Sequence, residues 1–75
     1  MLDTMHRAVS VDGQYVKFAN AVGGFVGSDY VYQCATEEMA EKFSKFLQQR
    51  DPNNPKLPTA VTDQVRRQFK AKEIR

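Results

Sequence analysis

The chain has no tryptophan, one cysteine (Cys34) and one histidine (His6) among its 75 residues. A lone cysteine rules out an internal disulfide, and one Cys with one His cannot assemble a zinc-type ligand set. Unpaired cysteine usage fits a reducing compartment, and a cytoplasmic location is expected. The opening residues, Met1 to Arg7, lack a basic stretch followed by an apolar one. No apolar run approaches the roughly 20 residues that span a bilayer, so neither secretion nor membrane insertion is expected. Charge of one sign is also scarce, because the formal net charge is only +2. A polyanionic partner cannot be argued from so small a total.

The charge that is present is unevenly placed. From Thr59 to Arg75 five basic side chains face two acidic ones, giving +3, and the preceding residues sum to −1. A chain this short builds one core and buries only about 60% of its unfolded surface, so modest stability is expected. A second copy would supply missing core area, and a homodimer through an open sheet edge or the last helix is one expectation.

Asp12-Gly13 separates two runs rich in β-branched and aromatic residues, Met5 to Val11 and Gln14 to Ala19. Asp-Gly favours a type I′ hairpin turn, in which both central residues take positive φ. That turn would set Val11 opposite Gln14, Val9 opposite Val16 and Arg7 opposite Phe18. Val9, Val11, Val16 and Phe18 then form a core face, and Ala8, Ser10, Tyr15 and Lys17 a wet one. A glycine-rich connection, Asn20 to Asp29, leads to a third strand from Tyr30 to Ala35. Tyr30, Tyr32 and Cys34 share one side of that strand, and the poorer core residue Gln33 sits on the other, so the tyrosines are expected to point inward.

Thr36 stands at an N-cap position before Glu37 and Glu38, where carboxylates favour a helix start. Met39, Phe43, Phe46 and Leu47 follow at i, i+4, i+7 and i+8, one apolar stripe of a helix running to about Arg50. Asp51 to Pro58 carries three prolines and two asparagines and reads as a hinge. Val61, Val65 and Phe69 at i+4 steps, with Thr59 or Thr62 as cap, predict a second helix that frays after Lys70. The expected fold class is α+β, a three-stranded antiparallel sheet followed by helix, hinge and helix. Residues 1–50 form the body, 51–58 the hinge and 59–75 the basic helix, one domain in all.

Catalytic constellations are sparse. Cys34 and His6 are the sole nucleophile and base candidates, and both lie in strands without a supporting motif. Glu37, Glu38 and Glu41 are better read as a solvated helix face, since Glu38 precedes Lys42 and Glu41 precedes Lys45 by four residues. The glycines between Asn20 and Asp29 do not match a phosphate loop. No enzyme activity, cofactor or metal is expected. Two features suggest binding instead. Phe25 and Val26 are apolar residues in a glycine-flanked loop, either a plug for the core or an anchor for a partner pocket. Arg66, Arg67, Lys70, Lys72 and Arg75 make the last helix basic, with Arg66 and Lys70 on one face and Arg67 nearby, suited to an acidic surface or to phosphates. Tyr15, Tyr30 and Tyr32 raise a base-stacking platform, but no RNP-like motif accompanies them.

Two functions of different class remain. The first is a small regulator that docks on a larger protein assembly and modulates or inhibits it. Chains of this size without enzyme motifs are frequent among phage and mobile-element proteins acting on host machines such as RNA polymerase, which is a class expectation and not a sequence match. The second is a nucleic-acid-binding protein that uses the basic helix.

Overall fold

Local turn chemistry starts the sheet. Met5–Asp12 (β1) and Tyr15–Val22 (β2) pair antiparallel around Gly13-Gln14. The structure is a computed structural model, and it describes residues 5 to 22 and 25 to 74, apart from the side chains of Val22, Phe25, Val26 and Ser28. Gly13 has φ +60°, and Lys70 is the one non-glycine residue with positive φ among those described. A single positive φ at the first central position is the type II′ pattern, so the type I′ expectation is corrected. Asp12 therefore stays in the strand, and Val11 faces Val16 and Val9 faces Phe18. Each pairing moves by two residues relative to the sequence expectation, which preserves the face of every side chain. Val16 and Phe18 are buried, Val9 packs against them, and Val11 remains 40% exposed at the far end.

The third strand, Phe25–Gln33 (β3), begins well before Tyr30. The glycine-rich stretch is thus a second hairpin, with strand on both sides of residues 23 and 24. A register shift interrupts the β2–β3 ladder between Ala19 and Ala21, where Asn20 stands against Gly27 and Ser28. A side chain at Gly27 would begin 3.1 Å from the Asn20 carbonyl oxygen. Close backbone approach at this bulge accounts for the glycine. Past the bulge the strand alternates as expected, and Tyr32 and Cys34 are buried while Tyr30 packs at the core margin.

The helix Glu37–Leu47 (α1) starts at Thr36, whose Oγ1 accepts a hydrogen bond from the Met39 amide at 3.1 Å. Ala40, Phe43, Ser44 and Leu47 are buried, and Met39 and Phe46 pack beside them. The buried Ser44 hydroxyl donates to the Glu41 carbonyl at 2.7 Å, which removes the cost of an unpaired polar group. Tyr32 meets Phe43 edge to face, with ring centroids 5.6 Å apart. Helix α1 thus covers one face of the sheet.

The expected hinge is a β-ribbon. Arg50–Asp51 (β4) and Asn54–Pro58 (β5) pair antiparallel. Side-chain caps explain why prolines are tolerated here. Asp51 Oδ1 accepts from the Asn53 amide at 2.8 Å, and Asn54 Oδ1 from the Lys56 amide at 3.3 Å, so the turn is held by Asx bonds that proline does not disturb. Pro58 is buried, and the Thr59 amide donates to the Gln49 carbonyl at 3.1 Å. Arg7 ties this ribbon to the body, because its Nη1 donates both to Leu47 O at the end of α1 and to Thr59 O.

The expected helix over 59–75 is also corrected. Only Asp63–Gln68 (α2) is helical, capped by Thr62, whose Oγ1 accepts from the Val65 amide. It ends because Lys70 turns left-handed, φ +50°. The Lys70 amide then donates to Arg67 O and the Ala71 amide to Arg66 O, the two bonds of a Schellman ending. This ending usually carries glycine, so lysine hides it from the sequence. The chain turns back as Lys72–Glu73 (β6), which pairs antiparallel with β3, and the Ile74 amide donates to Val31 O at 2.8 Å. The sheet is therefore four-stranded, ordered β1-β2-β3-β6, instead of three-stranded. Phe69 is delivered to the core against Phe43 and Phe46, at 5.2 and 5.5 Å between centroids. The α+β class with an antiparallel sheet stands, and no helix among the described residues is long and apolar enough to cross a membrane.

Candidate functional site

Period-two alternation places Ala8 and Ser10 of β1, Lys17 and Ala19 of β2, and Asp29 and Val31 of β3 on the sheet face opposite α1. They form one continuous patch, because Ala8 pairs with Ala19, Ala19 with Asp29, Ser10 with Lys17, and Lys17 with Val31. The short side chains leave a hollow of about 410 Å³ over the middle of the sheet. Lys17 and Asp29 stand at its rim with opposite charges. Tyr15, 43% exposed, lies one step along β2 beside Asp12 and Gln33. Among the described residues no helix or strand lies over this face.

The alternation of the hairpin made this face legible in the sequence as the wet side. Its use as a site was not legible, because alanine and serine carry no chemical signal. The hollow exists only where three strands bring those small residues together.

The basic residues divide. Arg66, Arg67 and Lys70 border a groove at the end of α2 together with Asp63, and Arg66 is ion-paired with Asp63. Lys72 is not part of that group. It pairs with Gln33 on β6, and so belongs to the uncovered sheet face. Arg75 lies outside the described residues. The apolar pair Phe25-Val26 opens β3, and its side chains lie outside the described residues. In place of a loop tip, the backbone there is a ladder rung, with Val22 opposite Phe25 and Ala21 opposite Val26.

Cys34 and His6 occupy opposite ends of the sheet. The Cys34 amide bonds to the Gln14 carbonyl beside the first turn, whereas His6 pairs with Ala21 at the other end. Burial pushes the Cys34 thiol above its ordinary value, which suits a packed hydrophobe more than a nucleophile. Burial also raises the Tyr32 hydroxyl, helped by Glu73, which accepts its hydrogen bond, and opposed by Arg66. The described residues contain no group of three or more His, Cys, Asp or Glu placed to hold a metal ion. The three tyrosines do not make a stacking platform, since Tyr30 and Tyr32 face the core and Tyr15 the opposite side.

Comparison with protein-family models, with curated proteins and with solved structures finds no match.

Proposed function

We propose that this chain is a non-enzymatic regulator that docks on a larger protein assembly and modulates it, using the uncovered face of the sheet. The observation that carries this reading is the hollow formed by Ala8, Ser10 and Ala19 and rimmed by Lys17, Asp29 and Val31. A twisted sheet with short central side chains accepts an inserted helix or loop, much as its other face accepts α1. Charge on the face supports a protein partner over a nucleic acid. Lys17 and Lys72 are balanced by Asp12 and Asp29, leaving no net attraction for phosphates. A recognition helix finds less support, because α2 has 6 residues and so extends about 9 Å. A phage or mobile-element origin, with a host machine as partner, remains an extension of this reading from chain size and class alone.

The test uses the full chain as bait in a lysate, with and without nuclease, beside an Ala19→Glu variant. Ala19 is half-buried in the hollow and distant from the α1 core, so the variant is expected to melt near the wild-type temperature. The reading requires a protein captured by the wild type, resistant to nuclease and lost with Ala19→Glu. Capture that disappears with nuclease, or that survives Ala19→Glu, would refute it.

A further inference from the structure

Arg7 shares the core face of β1 with Val9, and its side chain is partly buried. Its guanidinium lies 4.8 Å over the Phe18 ring. Three acceptors hold it: Asn20 Oδ1 on Nε at 2.9 Å, with Leu47 O and Thr59 O on Nη1 at 3.2 and 3.1 Å. All three are neutral. No carboxylate accepts from Arg7 in these bonds, and none is among the charges that shift its guanidinium. These hydrogen bonds employ Nε and Nη1, while an arginine presents five N–H groups in a planar fork. The edge carrying Nη2 is the part they leave over.

A hollow of about 190 Å³ adjoins this guanidinium, lined by Arg7, Phe18, Asn20, Tyr30, Tyr32 and Val61. A cation partly withdrawn from water without a counter-charge is costly, and an anion that neutralises it in a low-dielectric site gains accordingly. We propose that Arg7 and the adjoining hollow form a binding site for a small monocarboxylate, whose carboxylate is taken by Nη2 of the guanidinium and whose short apolar or aromatic remainder lies along Phe18, Tyr30 and Val61.

The chemistry of the walls selects this class. A single guanidinium balances a single negative charge. The Tyr32 hydroxyl is already engaged by the Glu73 carboxylate, so it offers no second donor to a phosphate. Phe18 and Tyr30, stacked at 4.9 Å between centroids, both line the hollow and give it an aromatic side. Burial lowers the Arg7 pKa, opposed only by the Tyr32 and Tyr30 hydroxyls, in keeping with a cation that no described acid compensates. The N–H groups of Nη2 are the donors left for a carboxylate oxygen, and the aromatic side of the hollow holds the remainder of the acid, a contact that a chloride ion cannot make.

The test is a titration of the full chain, followed by amide chemical shifts, with acetate, benzoate, phosphate and chloride at matched ionic strength. Acetate and benzoate are expected to give saturable shifts at Asn20, Tyr30 and Val61, with Kd of roughly millimolar order for ligands this small. Val61→Phe, which fills the hollow, is expected to weaken benzoate at least about tenfold. Val61→Leu supplies a milder version if phenylalanine is not accommodated. The proposal is overturned by shifts that do not saturate, by chloride shifts equal to those of acetate, by tighter binding of phosphate than of either carboxylate, or by unchanged benzoate affinity in a folded Val61 variant.

Discussion

The two ends of the chain reach the same core by different routes. In the N-terminal region a glycine turn joins β1 to β2, Thr36 caps α1, and the apolar side chains follow the period of each element. Each local preference there agrees with the packing it leads to. The C-terminal region has little local support: α2 spans 6 residues, none of them buried, and β6 spans two. It is held by what it touches, with Phe69 against Phe43 and Phe46 and the Ile74 amide on Val31. One region is made by neighbours in sequence and the other by neighbours in space. The second should open first, because a segment with few apolar contacts has low local stability.

The largest effects probe the shared aromatic contact. Phe43→Ala is expected to cost about 4 kcal/mol and to unfold much of the population, since the whole stability of a chain this size is only about 4–11 kcal/mol. Phe69→Ala is expected to cost about 3 kcal/mol, because its ring is slightly less enclosed. Denaturant melts give both values, and amide exchange separates the regions. Protection should vanish at Ala71 and Ile74 in the Phe69→Ala protein while Phe18 stays protected. Equal loss at Phe18 would show that the two ends form a single cooperative unit.

Smaller effects test the local signals. Thr36→Ala is expected to cost about 1 kcal/mol through loss of the cap on α1. Thr62→Ala is expected to cost about 0.5 kcal/mol, at the low end for caps, because tertiary contacts and not the cap hold the short α2 in place. Equal costs would break the contrast between the regions. At position 70 the sign reverses. Lys70→Gly should raise stability by about 0.5 kcal/mol, since a left-handed φ is strained for lysine and free for glycine.

The smallest effect lies on the alkaline side. Tyr32 and Cys34 both have folded pKa values above their ordinary 10.0 and 9.0. The folded state therefore holds these protons more tightly than the unfolded state. Their contribution is fully present below the ordinary values and is lost as pH rises through the folded ones. Stability should fall above about pH 9, and Tyr32→Phe should flatten the upper part of that fall. A curve unchanged by Tyr32→Phe would assign the decline to other groups.

How much could be read from the sequence follows the same division. The faces of β1 and β2, the Thr36 cap and the α1 stripe were all legible, because a period or a cap is written in adjacent residues. Even the mistaken turn type left the faces correct, since a shift of two keeps parity. The ribbon over Arg50–Pro58 was hidden because proline and asparagine signal a break, and the Asx bonds that order them depend on the fold around them. The return of Lys72–Glu73 to the sheet was hidden twice. Lysine stands where glycine would announce the helix end, and a two-residue strand has no period to detect. The basic stripe over residues 66 to 72 assumed one continuous helix. The turn at Lys70 separates Arg66 and Arg67 from Lys72, which belongs with the sheet. The Arg7 site gave no signal, because its partners are Asn20, Leu47 and Thr59, up to 52 residues away.

The pairing of β6 with β3 also bears on biosynthesis. Tyr32 meets Glu73 across 41 positions of chain, so a nascent polypeptide displays the bare rim of β3 until β6 has left the ribosome. During that interval Phe43 and Phe46 lack the ring that will shelter them, and an unpaired rim beside an aromatic surface invites association with other chains. The folded protein gives no hint of this hazard, which belongs to translation alone. A chaperone engaging the growing chain would find its target there, on a surface that exists only while the protein is unfinished.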